Sequence, residues 1–321
     1  MSNASKQEKN MSGTYVVLIE GEILLNNRER AFDEQYHNAY NLAQGLMPIL
    51  ANSSKMALIC DNHPHIGYVL YRSELSSHLL HPVPLDVAIA DSQGAIGYLL
   101  MRAFTNMLHE HAIQREVSNV FTRVLVEKEH DHDTTPLQTI GPVFDRERAE
   151  HYQRTRGWMT IEEPGYGYRR AVYSTRPIKI LELSEIQALI SQGNIVVAGG
   201  GGGVPVYRND EGNFVGAEEL VESEFTSVLL TQGIQAEHFW IVMNKENGFL
   251  RYHISIDPRN EMSLEQLDDL LEKNTLDSPS ILSKLKAADR FLHDGGREVL
   301  ITSMRQLPNA VSGQSGLFIH H

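Results

Sequence analysis

Six short runs are apolar almost from end to end: YVVLI (15–19), MALIC (56–60), VFTRVLV (120–126), NIVVAG (194–199), HFWIVM (238–243) and EVLIT (298–302). Such runs read as strands of a parallel sheet covered on both faces. Between them stand longer stretches with helical spacing, clearest at YHNAYNLAQGLMPILA (36–51) and DSQGAIGYLLMRAFTNMLHEH (91–111). SEIQALISQG (184–193), SEFTSVLLTQG (223–233) and SKLKAADRFLHDGG (283–296) each close on glycine, a usual helix stop. The alternation predicts an α/β protein with an open, mostly parallel sheet and right-handed crossovers.

The pattern fails between residues 128 and 176. KEHDHDTTPLQTIGP, a short helical stretch at DRERAEHYQRTRG and EEPGYGYRRAVYSTRP are polar and turn-rich. This segment reads as an inserted, protruding excursion and not as another sheet layer. The expected organisation is an N-terminal lobe over 12–190, carrying the excursion, and a C-terminal lobe over 191–321. No internal repeat or low-complexity tract is visible.

Composition narrows the class. The 321 residues are 41% hydrophobic and 21% charged, ordinary for a globular protein. No apolar stretch approaches the roughly 20 residues of a membrane helix, and the polar start, MSNASKQEKN, has no secretory pattern. One cysteine, Cys60, precludes an internal disulfide and fits a reducing cytoplasm. The net charge of −13 argues against a general nucleic-acid binder.

Three stretches bear on chemistry. In NIVVAGGGGGVPV (194–206), Gly199, Gly200, Gly201, Gly202 and Gly203 follow a buried strand. Glycines without Cβ let backbone N–H groups approach a ligand at a strand's carboxyl end. No Gly-Lys-Ser/Thr follows, so the run is not a P-loop. In EHDHD (129–133), His130 and His132 alternate, but a metal site needs three or four placed ligands and a solvated loop is the better reading. His320 and His321 carry no stronger signal, and no metal site is expected. Cys60 ends a strand and reads as an inert buried thiol. At VVLIEGEILL (16–25), a strand-end turn of the kind that holds anions has Gly21 flanked by Glu20 and Glu22.

PLDVAIADSQGAIGYLL (84–100), IGPVF (140–144), Gly157-Trp158, GYRRAVYSTRPIKILEL (167–183) and AGGGGGVPV (198–206) agree in order and spacing with carbamate kinases. The chain resembles that family over roughly residues 14 to 305. The resemblance implies a three-layer αβα sandwich of the amino-acid-kinase type, with the glycine run and Lys284 on the nucleotide. It implies reversible phosphoryl transfer between ATP and carbamate with Mg²⁺, and a homodimer through the 86–100 region. Such chemistry is mostly positioning and neutralisation of phosphate charge.

The family's charge clamps are rewritten here. Gly-Gly-Asn has become Glu20-Gly21-Glu22, and His-Gly-Asn-Gly-Pro-Gln has become Cys60-Asp61-Asn62-His63-Pro64-His65. A lysine before Ile-Gly-Pro is Gln138, and Asp-Lys-Asp is Glu222-Ser223-Glu224. Thr-Asp-Val-Asp is Met243-Asn244-Lys245-Glu246, and Gly-Ser-Met-Gly-Pro-Lys is Pro279-Ser280-Ile281-Leu282-Ser283-Lys284, with its lysine kept. A carboxylate about 4 Å from a phosphate charge is unfavourable by roughly 4 kcal/mol at an effective dielectric near 20. One lost electrostatic donor lowers a rate about a hundred- to a thousandfold. Lys286 lies two residues from Lys284 on one helix, so it faces another side.

The expectation is a carbamate kinase-like chain whose catalysis has degenerated and which acts by binding or scaffolding. A partner enzyme of carbamoyl or arginine metabolism is the expected macromolecular ligand, with neither nucleic acid nor membrane. The alternative is an active phosphotransferase using Lys284, Asn62, Glu224 and Gly21, with Glu20, Glu22, Asp61 and His63 around an altered substrate pocket. A third reading gives that acidic pocket a cationic group or a divalent metal.

Overall fold

Thr14–Ile19, the first apolar run, lies inside an eight-stranded sheet. The order across it is Glu261–Ser263, Leu317–His320, Glu298–Ser303, His238–Met243, Thr14–Ile19, Lys55–Cys60, Ile195–Val197 and Val117–Asn119. The six strands from Glu298–Ser303 to Val117–Asn119 are parallel, and Leu317–His320 joins their edge antiparallel. The computed structural model describes residues 12–25, 32–128, 137–163, 165–244, 261–273, 276 and 278–321.

Period-two alternation sends successive side chains to opposite faces. Val16, Leu18, Ala57, Ile59, Phe239 and Ile241 enter one core; Tyr15, Val17, Ile19, Met56, Leu58, Trp240 and Val242 enter the other. The helices Leu183–Ser191, Ser223–Ile234 and Pro279–His293 cover the first face, and Phe32–Ala51 and Leu85–Glu110 the second. Each fully buried Val, Leu or Ile contributes about 1.5–3 kcal/mol relative to exposure. That double burial is why these strands read as continuous apolar runs. Among the described residues, no helix is long and apolar enough to cross a membrane.

Two expectations need correction. The run VFTRVLV is not one strand. Val117–Asn119 joins the central sheet, whereas Arg123–Leu125 belongs to a four-stranded sheet with Lys179–Ile180, Val204–Arg208 and Phe214–Gly216. The chain turns at buried Thr122, whose hydroxyl donates to the Val120 carbonyl at 2.7 Å and accepts from Gly199 N at 2.9 Å.

The excursion, in turn, is built as a sheet. Leu137–Phe144 and Met159–Glu163 pair antiparallel with Gly167–Thr175, which Leu220–Val221 extends. The short helix forms as expected, over Arg146–Arg156. Asp145 caps it by accepting from Arg148 N at 2.8 Å, and Gly157 ends it at φ 67°. The segment looked sheet-free because its strands are only partly buried and carry polar residues between aromatics. Phe144, Tyr152 and Trp158 pack together, with Tyr71 from outside the segment against Phe144 and Arg170 4.7 Å over the Trp158 ring.

Candidate active site

The carboxyl ends of the parallel strands meet at one edge, where ligands bind in open α/β sheets. Glu20 leaves Thr14–Ile19, Asp61 and Asn62 leave Lys55–Cys60, Gly199–Gly203 follow Ile195–Val197, and Asn244 leaves His238–Met243. The ladder runs one residue past the strands: Glu20 N donates to the Val242 carbonyl at 3.0 Å, and Asp61 N to the Ile19 carbonyl at 2.8 Å. The helices Ser223–Ile234 and Pro279–His293 bring their N-terminal turns to the same edge, delivering Glu224 and Lys284.

Lys284 is the centre of this cleft. Its side chain is 6% exposed, and Nζ lies 3.0 Å from Glu20 Oε1, 3.3 Å from Glu224 Oε1 and 3.0 Å from Ser280 Oγ. An ammonium has three N–H donors and each has an acceptor here. Glu20 is held in turn, its Oε2 accepting from Asn244 N at 2.8 Å. Burial pushes the Lys284 pKa down, but Glu224, Glu20 and Asp61 outweigh it and keep the group charged above the usual lysine range.

The remaining carboxylates ring this pair. Burial, with Glu224 adding, raises the Asp61 carboxyl above its ordinary value against the opposing pull of His63. Asp61 Oδ1 accepts from His63 N at 3.1 Å and lies 3.0 Å from His63 Nδ1. Burial likewise raises Glu222, against the opposing pull of Arg176 at 3.6 Å and Ser283 Oγ at 3.1 Å. Glu222 and Glu224 stand at a helix N-terminus, where the dipole favours negative charge.

Glu20 and Glu22, alike in sequence, separate here. Glu20 turns onto Lys284, while Glu22 is exposed on the one-turn helix Gly21–Leu24. Gly21 is glycine because the Asp61 carbonyl presses on it: a Cβ there would sit 1.8 Å from that oxygen. Lys286 is exposed. Lys245, Glu246, His130 and His132 lie outside the described residues. Cys60 is buried and its thiol is pushed up by burial, then by Asp61.

The glycine run is wholly buried. Gly199, Gly201, Gly202 and Gly203 have φ between 62° and 97°, the left-handed region that favours glycine. The loop is tied down by Gln93 Nε2 to the Gly200 carbonyl at 2.9 Å and Thr226 Oγ1 to the Gly202 carbonyl at 2.6 Å. Val221, Val124 and Asn62 lie where its Cβ atoms would go. Asn62 is fully buried; its Nδ2 donates to Ser92 Oγ at 3.1 Å, and its Oδ1 has no hydrogen-bond partner among the described residues. Ser223 Oγ, Gln138 Oε1, His63 Nε2 and both ring nitrogens of His65 share that condition. Burial, with Arg72 adding, lowers the His65 pKa to about 4.

Sequence reasoning did not single out Ser280, Thr122 or Gln93. Ser280 was the legible one: it precedes Lys284 by four residues and therefore shares its helix face. Thr122 and Gln93 act on the glycine run across long sequence separations that no local pattern reports.

The sheet order and the strand-end cleft define an α/β protein of the amino-acid-kinase type. Carbamate kinase from Giardia lamblia bound to citric acid superposes with a TM-score of 0.85 at 24% identity, over 97% of this chain and 99% of that one. The same enzyme bound to AMP-PNP gives 0.84 at 23% identity with the same coverage. No protein-family model matches the chain. Carbamate kinase-like protein YahI of Escherichia coli K12 is 32% identical over 318 residues, covering 96% of this chain and 99% of its own length. Carbamate kinase 2 of Staphylococcus aureus MRSA252 is 32% identical over 316 residues, covering 95% and 98%. The chain belongs to the carbamate kinase family.

Proposed function

We propose that this chain is a catalytically degenerate member of the family that works by binding a small polar ligand, and through it a partner protein. One observation carries the reading: all three N–H donors of Lys284 are engaged by Glu20, Glu224 and Ser280 of the same chain. A phosphoryl oxygen would have to displace Glu20, which is itself held by Asn244 N. The position that carries a second lysine in the resemblance is Ser223, and Gln138 stands at a third. The residues present therefore do not fit a transferable phosphoryl group or its Mg²⁺ complex. Binding is supported by Asn62 Oδ1 and Ser223 Oγ, buried and without partners among the described residues. A buried polar atom left unpaired costs about 1–3 kcal/mol, and a polar ligand would remove that cost.

A second reading is an active ATP-dependent phosphotransferase. It is favoured by relatives named carbamate kinase, by a structural neighbour solved with AMP-PNP, and by the retained Lys284, Asn62 and Glu224. ATP formation from carbamoyl phosphate and ADP separates the two. Background rates from folded wild type, with Mg²⁺-ATP undetected by calorimetry, are expected; turnover above background overturns the degenerate reading.

The assembly we propose is a homodimer through the Leu85–Glu110 helix, where Val87 and Tyr98 are exposed and Gly94 faces open space. Light scattering on the full chain tests it; a monomer at micromolar concentration contradicts it.

A further inference from the structure

The helix that buries Lys284 near one end carries a different cluster at the other. His293 Nε2 lies 3.1 Å from Asp268 Oδ1 and 3.4 Å from Asp289 Oδ1. Asp289 precedes His293 by four residues on Pro279–His293, so both share one face; Asp268 comes from the neighbouring helix Leu264–Lys273. One donor atom from each residue lies within 4.8 Å of the others. Two carboxyl groups and one imidazole thus converge at one point between the helices. Arg290, the nearest arginine on the same helix, is turned onto Asp294 at 2.8 Å.

We propose that Asp268, Asp289 and His293 bind one divalent transition-metal ion, which clips the Leu264–Lys273 helix to the lysine-bearing helix. In a tetrahedral site, metal–ligand bonds of about 2.0–2.1 Å set ligand-to-ligand edges of about 3.3–3.4 Å. The two edges at His293, 3.1 and 3.4 Å, are close to that spacing, and the third lies within 4.8 Å. Three protein donors leave the fourth position to water. One imidazole with two carboxylates suits Zn²⁺, Co²⁺ or Ni²⁺; Mg²⁺ and Ca²⁺ favour all-oxygen sets. His293 is 53% exposed on its side chain, so an ion reaches the site from solvent. The cluster stands apart from the strand-end cleft, and the proposal is independent of the functional reading above.

Calorimetry of the full chain with Zn²⁺ alone tests it, alongside His293→Ala and Asp268→Asn. Both are surface substitutions that leave the core untouched. One equivalent is expected to bind wild type, at least tenfold more weakly in each variant. Zn²⁺ is expected to raise the wild-type Tm by a few degrees and to leave the variants unmoved. Co²⁺ should give the intense visible bands of a low-coordinate ion, and only in wild type. Absence of binding overturns the proposal. So does equal binding by wild type and both variants, which would put the ion on His320-His321 or the 129–133 stretch.

Discussion

The helix Pro279–His293 meets carboxylates at both of its ends, around Lys284 at one and His293 at the other, and the two clusters are built on different terms. Near its N-terminus Glu20 and Glu224 close on Lys284, whose side chain is 6% exposed, and every ammonium N–H is engaged. At its C-terminus Asp268 and Asp289 close on His293, which is 53% exposed. A buried charge must have its counter-charges supplied by the fold, because water is not there to supply them. An exposed cluster is under no such demand, because water reaches its charges. The first end therefore holds its own lysine, and the second is where we propose that an ion binds.

The largest effect that would break this contrast is at Lys284. Lys284→Met leaves the half-buried Glu20 and Glu224 without a cation, and a loss of about 3 kcal/mol is expected in urea denaturation. Adding Glu20→Gln and Glu224→Gln should recover much of it, because the uncompensated charges are then gone. Recovery is the informative measurement: a purely steric role for the lysine stem would show none.

The next effect sharpens what burial does to an unpaired group. His65 holds a pKa of about 4 in the folded chain, against an ordinary 6.5. Between those values the unfolded chain binds the extra proton and the folded chain does not. Stability is thus complete above pH 6.5 and falls as pH drops toward 4, by about 3 kcal/mol in all. Both ring nitrogens lack partners among the described residues, so His65→Phe should flatten this acid limb without breaking a hydrogen bond there.

Opening one arm of the Lys284 cluster is a smaller change. Glu20→Gln removes one ion pair and leaves Glu224 and Ser280 in place, with about 1–3 kcal/mol lost. In Glu20→Gly/Ser223→Lys, which adds a donor and removes the competing carboxylate, calorimetry should detect Mg²⁺-ATP binding, with none expected from wild type. Smallest of all is the exposed end. Without metal, Asp268→Asn should move the Tm by no more than about 2 °C, as surface ion pairs do.

The fold was legible wherever an element is buried on a regular period. HFWIVM appears at its expected boundaries, and YVVLI and MALIC each gain one residue at the N-terminal end. Legibility failed where the chain obeys a distant side chain. VFTRVLV is apolar enough for one strand, yet Thr122 is drawn aside by Gln93 and Gly199. The excursion's strands bury only single residues such as Ile140 and Val172 against Ile66, Leu85 and Ile89, beside an aromatic cluster at Phe144, Tyr152 and Trp158, so they carry no continuous apolar run.

The candidate site divides in the same way. The amino-acid sequence alone placed two carboxylates, Glu20 and Glu22, at a strand-end turn, and the family resemblance set Gln138 and Ser223 where lysines would be expected. Identity of side chains is local information. Which carboxylate faces inward, and which atoms Lys284 holds, depended on the meeting of four strand ends and two helix starts, more than two hundred residues apart in the chain. Only the tertiary structure brings Glu20 to 3.0 Å from Lys284 and leaves Glu22 in water, because distance and burial set electrostatic energy and neither is written in residue order.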